Sequence, residues 1–257
     1  MATTQKRQRG KVRVTRVRRQ PAAPRPRPAI AQVRNHTAAT LVYRALRTDI
    51  IAMRIAPGQA INEKAVGLAH GVSRTPVREA LLRLAGDSLV AIFPQSGTFV
   101  TRIPIAALPE AIMVRKALED LTVRRATARV NAEWIAALRN IVGHAHKLEA
   151  RGDYDGFHAA DEAFHANIAE FAGHPGIWQL IEQVKVQVDR YRRLTLPVPG
   201  RMGRVVDEHA MVIEAIATGD PDKASAAMAA HLDGLSASIG DVRDLNPDFF
   251  DLSPAHE

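Results

Sequence analysis

Ser73-Arg74-Thr75-Pro76-Val77-Arg78-Glu79-Ala80-Leu81-Leu82-Arg83-Leu84 asks two different things of one helix. Ser73 or Thr75 can cap its N-terminus, because a side-chain oxygen there accepts an otherwise unpaired backbone N–H. Pro76 fits a first turn, where its missing N–H loses no helical bond. Val77, Ala80, Leu81 and Leu84 recur at helical spacing and make one apolar face. Arg74 and Arg78, four apart, share another face near the helix start. A helix that buries one side and presents arginines from its first turn suits the DNA major groove.

The flanking sequence has the matching parts. Ala60 to Ala69 reads as a short helix with Asn62 as a cap, and His70-Gly71-Val72 as a tight turn in which Gly71 supplies positive φ. Helix, glycine turn and second helix make a helix-turn-helix. An earlier helix, about Leu41 to Arg54, stops at Pro57-Gly58 and lines up Leu41, Val42, Ala45, Leu46, Ile50 and Met53. Leu89-Val90-Ala91-Ile92-Phe93 and Thr98-Phe99-Val100, separated by Pro94-Gln95-Ser96-Gly97, read as a β-hairpin.

Composition narrows the class. The 257 residues suffice for two domains, and low aromatic content (5%) with frequent alanine favours helices. Cysteine is absent, which excludes disulfides and cysteine–zinc sites. No apolar run reaches the ~18 residues of a membrane span, and no secretory apolar core opens the chain, so a cytoplasmic protein with no membrane partner is expected. Residues 1–34 carry eleven Lys or Arg and no acid; with +8 overall, the remainder is −3. This Pro/Arg-rich stretch is expected to be disordered, a polycationic arm adding salt-sensitive affinity for phosphates. An inert extension or a transit peptide has the same composition.

From Leu108 onward the pattern is helical, with helices expected at 108–130, 133–149, 153–172, 176–195, 201–218 and 221–238. Asp161 and His165 lie one turn apart on one face. His209 precedes Gly219 by ten residues and His231 follows Pro221 by ten, about 15 Å of rise in each arm. Two antiparallel helices joined at Gly219-Asp220-Pro221 therefore bring both histidines to one level. One carboxylate and three imidazoles suit zinc, nickel, iron or manganese. A satisfied polar histidine is the plainer reading of any one of them, and His158 is a rival on the face of Asp161 and His165. His144 and His146, two apart, point to different sides.

Residues 41–100 resemble the winged helix-turn-helix of GntR-type bacterial transcription regulators, on the string Gly71-Val72-Ser73-Arg74-Thr75-Pro76-Val77-Arg78-Glu79-Ala80-Leu81. The C-terminal region is similar to the FCD ligand-binding domain of the FadR-like branch. The matching strings are Arg115-Lys116-Ala117-Leu118-Glu119, Asp161-Glu162-Ala163-Phe164-His165, Glu208-His209, and Gly219-Asp220 followed by Met228 and His231. It departs at Gly173-His174, where many relatives have Gly-Asn.

The resemblance implies a mostly α chain: a winged helix of three helices plus a β-hairpin, then an all-α antiparallel bundle. The expected boundaries are 1–36 for the tail, 37–102 for the winged helix, 105–240 for the helical domain and 241–257 for a C-terminal tail. It implies that Lys64, Ser73, Arg74, Thr75 and Arg78 face DNA, with Gly97 at the wing tip; Glu79 is expected to pair with an arginine. It further implies that Asp161, His165, His209 and His231 bind a divalent metal, zinc being the first choice. Arg115 would pair with a small carboxylate effector, or else with Glu119. The expected function is a homodimeric, non-enzymatic regulator, a repressor, reading a palindromic operator in double-stranded DNA. Two rivals remain open: a metal-dependent hydrolytic enzyme using the metal's free position, and a nonspecific nucleic-acid-binding protein led by the tail.

Overall fold

The computed structural model describes residues 29–236, 239, 243–244 and 246–253, with side chains from Thr37 onward. Residues 1–28 of the basic arm lie outside it. Helix α1 (Ala29–Ile51) starts well before Leu41 and buries Ala39, Val42, Leu46 and Ile50, a 3-4 stripe. Leu41 falls outside that stripe and is 60% exposed, because a one-residue step turns a helix by about 100°. The helix ends three residues earlier than expected, and Met53 beyond it has positive φ.

Ala60–Ile61 is not helical. It forms β1, the third strand of an antiparallel sheet ordered β1-β3-β2, with β2 at Val90–Phe93 and β3 at Gly97–Val100. Helix α2 (Glu63–Ala69) follows, capped by Asn62, whose side chain accepts from the Lys64 and Ala65 amides at 3.0 Å. Gly71 takes φ +62, and a Cβ on Gly67 would meet the Val72 carbonyl at 3.0 Å, so the turn presses against α2. Helix α3 (Arg74–Gly86) buries Pro76, Val77, Ala80, Leu81 and Leu84. Ser73 occupies the cap position without a side-chain cap hydrogen bond.

Past Ile103–Pro104 (β4) come α4 (Leu108–Thr127), α5 (Ala132–Glu149) and α6 (Tyr154–Phe171). Then follow α7 (Pro175–Val184), α8 (Val186–Thr195), α9 (Arg201–Ala217) and α10 (Pro221–Asp233). The helix expected over 176–195 is thus two helices, broken at Lys185. The buried Lys185 ammonium binds Glu162 and Asp189, each at 2.5 Å. The break redirects α8: Val186 joins the core of the winged helix, while Val188 and Tyr191 stay in the helical-domain core. The described residues near 250 return to β4. Phe250–Asp251 (β5) pairs in parallel with β4, Phe250 is buried, and Arg102 donates to the Asp248 carbonyl at 2.9 Å.

Candidate functional sites: a DNA-reading helix and a buried histidine cluster

Ser73, Arg74, Thr75 and Arg78 all stand exposed at the start of α3, and Lys64 is exposed on α2. Gly97, with φ +118, closes the turn between β2 and β3. The acid that meets Arg78 is Glu63, at 3.1 Å across the helix-turn-helix, rather than Glu79. Arg78 is largely solvated and Glu63 partly so, so the pair orients Arg78 more than it stabilises the fold.

Asp161, His165, His209 and His231 converge, each 5% exposed or less, with ligand atoms within 4.8 Å of one another. The level matching of α9 and α10 about Gly219 brings the Nε2 atoms of His209 and His231 to 3.2 Å. His165 Nε2 lies 3.3 Å from His231 Nε2, and Asp161 Oδ1 lies 3.5 Å from His209 Nε2. His158 faces away from this group toward Glu162 and Asp189.

The outer contacts determine which nitrogens face inward. His165 Nδ1 contacts Glu119 at 2.5 Å and His231 Nδ1 contacts Glu208 at 2.9 Å. Each carboxylate accepts a hydrogen bond from Nδ1–H, which leaves the Nε2 lone pair pointing to the centre. Burial pulls the pKa of His209 well below that of a free imidazole and lowers that of His231, so both are neutral bases. Burial alone would raise the Glu119 pKa, but Arg115 and His165 hold it down to about 2.

The facing Nε2 lone pairs of His165 and His231, 3.3 Å apart, repel unless a cation lies between them, and His209 Nε2 stands 3.2 Å from the same His231 nitrogen. The spacing matches the roughly 3.3 Å edge of a tetrahedral site with metal–nitrogen bonds of 2.0–2.1 Å. Asp161 adds a second sign. Its Oδ2 accepts from Arg192 at 2.5 Å, while its Oδ1 is buried without a hydrogen-bond partner beside the three nitrogens. The donor set fits a divalent metal.

Arg115 takes the alternative that the sequence left open and keeps a free donor as well. Its Nε binds Glu119 at 2.5 Å, and its buried Nη2 has no partner. Arg192, which sequence reasoning missed, is buried on α8 and binds Asp161. Two residues earlier, buried Arg190 donates to the Thr101 carbonyl at 2.6 Å. One short helix therefore touches both the histidine cluster and the segment that leads out of the winged helix. No sequence period signals this, because it depends on the break at Lys185.

A surface helix-turn-helix with a wing, joined to a helical bundle with a buried ligand-type cluster, defines a two-domain DNA-binding regulator. Residues 38–100 match the model of the bacterial regulatory proteins of the gntR family, and residues 110–234 match the FCD domain. A Streptomyces ambofaciens protein, named as an uncharacterized HTH-type transcriptional regulator in an unstable DNA locus, is 33% identical over 222 residues. The match covers 86% of this chain and 93% of that one. The Escherichia coli HTH-type transcriptional repressor RspR is 32% identical over 209 residues, 81% of this chain and 92% of that one. Escherichia coli McbR/YncC shares the fold at TM-score 0.69 and 21% identity, covering 79% of this chain and 97% of that one. The chain belongs to the GntR family of transcriptional regulators and carries an FCD domain. No helix among the described residues is long and apolar enough to cross a membrane.

Proposed function

We propose that the chain is a homodimeric repressor whose operator affinity is set by a small carboxylate bound beside a divalent metal. The metal is held by Asp161, His165, His209 and His231. The observation that carries this reading is the double attachment of α8, through Arg192 to Asp161 and through Arg190 to Thr101. A ligand that pulls on Asp161 shifts α8, and α8 shifts the placement of the winged helix. It does so only by its differential affinity for the two placements. The unpartnered Nη2 of Arg115 supports an anionic effector. Arg74, Arg78, Ser73, Thr75 and Lys64 would meet DNA, with Gly97 letting the wing approach the backbone. Met113 and Leu121 on α4, with Leu180 and Val184 on neighbouring α7, are exposed apolar side chains that support a dimer face. The name of the RspR relative supports repression.

Small carboxylates screened by thermal shift test this reading. An effector at 100 times its Kd stabilises by about 2.7 kcal/mol, and the shift should vanish after chelation. Hits that persist unchanged in metal-stripped protein contradict the metal-linked pocket.

The basic arm gives a second expected result. Each phosphate neutralised contributes about −0.9 to the slope of log affinity against log salt. Deleting residues 1–34 should flatten that slope by several such contributions. An unchanged slope assigns the arm no role in binding.

A further inference from the structure

A second cluster lies apart from the four residues above. His158 and Glu162 on α6 and Asp189 on α8 offer ligand atoms within 4.8 Å of one another. They line a cavity of about 340 Å³ that α1 closes from the winged-helix side with Arg47, Thr48 and Ile51. Their partnering is incomplete. Glu162 and Asp189 each give one oxygen to the Lys185 ammonium, at 2.5 Å. The other oxygen of each, and His158 Nδ1, are buried without a hydrogen-bond partner. His158 is 8% exposed and Asp189 4%.

Lys185 balances one of the two carboxylates. Arg192 binds Asp161 and also lies 3.9 Å from Glu162 Oε1, Arg193 binds Asp155, and Arg47 on the cavity wall reaches the Glu182 carbonyl. His158 Nδ1 and Asp189 Oδ1 still face no hydrogen-bond donor, and burying such groups unpaired is costly. An imidazole nitrogen and two carboxylate oxygens gathered around one point are acceptors that suit a cation.

The geometry points to a second divalent-cation site at the domain boundary, formed by His158, Glu162 and Asp189, with Lys185 as a tethered competitor for the same carboxylates. An imidazole and two carboxylates suit zinc or manganese. On binding, the ion takes both carboxylates and the ammonium moves into the cavity, where Glu182 is a further acid on the wall. The ion then sits between α1 and the helical domain, next to the break that aims α8.

Zinc alone is the probe. Full-length protein is saturated with Zn²⁺, passed through gel filtration and assayed for zinc. Wild type should hold one zinc per chain more than His158→Ala, whatever the Asp161 cluster holds; equal content overturns the site. Failure of the Asp161 cluster would show separately, as a His209→Ala variant that holds as much zinc as wild type. Should His158→Ala not fold, Lys185→Gln decides. Without the tethered ammonium, the zinc at this site should bind at least ten times more tightly by calorimetry. An unchanged affinity overturns the proposal.

Discussion

Alanine in place of His209 should strip the Asp161 cluster of stoichiometric metal while the helical domain stays folded. His209 is one of three imidazoles whose Nε2 atoms face one another, with neighbours at 3.2 Å in His231 and 3.5 Å in Asp161. Outer residues that merely orient a ligand cost about 10–100-fold in metal affinity when changed, and loss of a direct donor should exceed that. The ring also stacks on Phe164 at 4.1 Å, so some packing is lost with it. Elemental analysis checks the result beside a melting curve taken after chelation, where wild type and variant should differ little. If His209→Ala retains its full metal content, these four residues are not the ligand set.

Arg192→Leu should be the most destabilising single change in the metal-free protein. The guanidinium is 3% exposed and binds Asp161, itself 1% exposed. Breaking such a pair leaves a buried charge uncompensated, at about 3–5 kcal/mol. For a chain of this size that is a fall in Tm of roughly 6–20 °C. Bound metal should shrink the loss, because it supplies a positive charge to the same carboxylate. The pH dependence follows from the same pair. Burial alone would raise the Asp161 carboxyl, but Arg192 and the histidines hold it well below its usual 3.8. Its contribution is therefore present above that value and is lost only as the pH falls below it. In Arg192→Leu the loss should begin at higher pH. Calorimetry with and without metal checks both statements, and equal destabilisation in the two states would contradict the shared charge.

The local features were legible because neighbouring residues encode them. Gly71, Pro76 and the Val77–Leu84 stripe specify a turn and a one-sided helix, and the structure places them so. His209 and His231 were found by equal distances along two helices from one turn, which is still local geometry. Arg192 was not legible. Its contact with Asp161 joins α8 to α6 across 31 residues, beyond the break at Lys185, and no periodic pattern links the two. The pairing of β5 with β4 was hidden for the same reason: two residues near the end of the chain meet two others after the wing, with no pattern of their own. Ser73 shows the opposite limit, since its position was correct while its hydroxyl makes no cap.

Helix α3 is expected to read DNA sequence as half of a two-fold dimer. Its direct test is selection of duplexes from a random library, followed by affinity measurement on the winners at fixed salt. A palindrome with matching half-sites should be enriched, and Arg74→Ala should lose about 1–3 kcal/mol on that sequence, with random DNA bound as before. Enrichment of nothing above random sequence, with Arg74→Ala binding all DNA as wild type does, would contradict it.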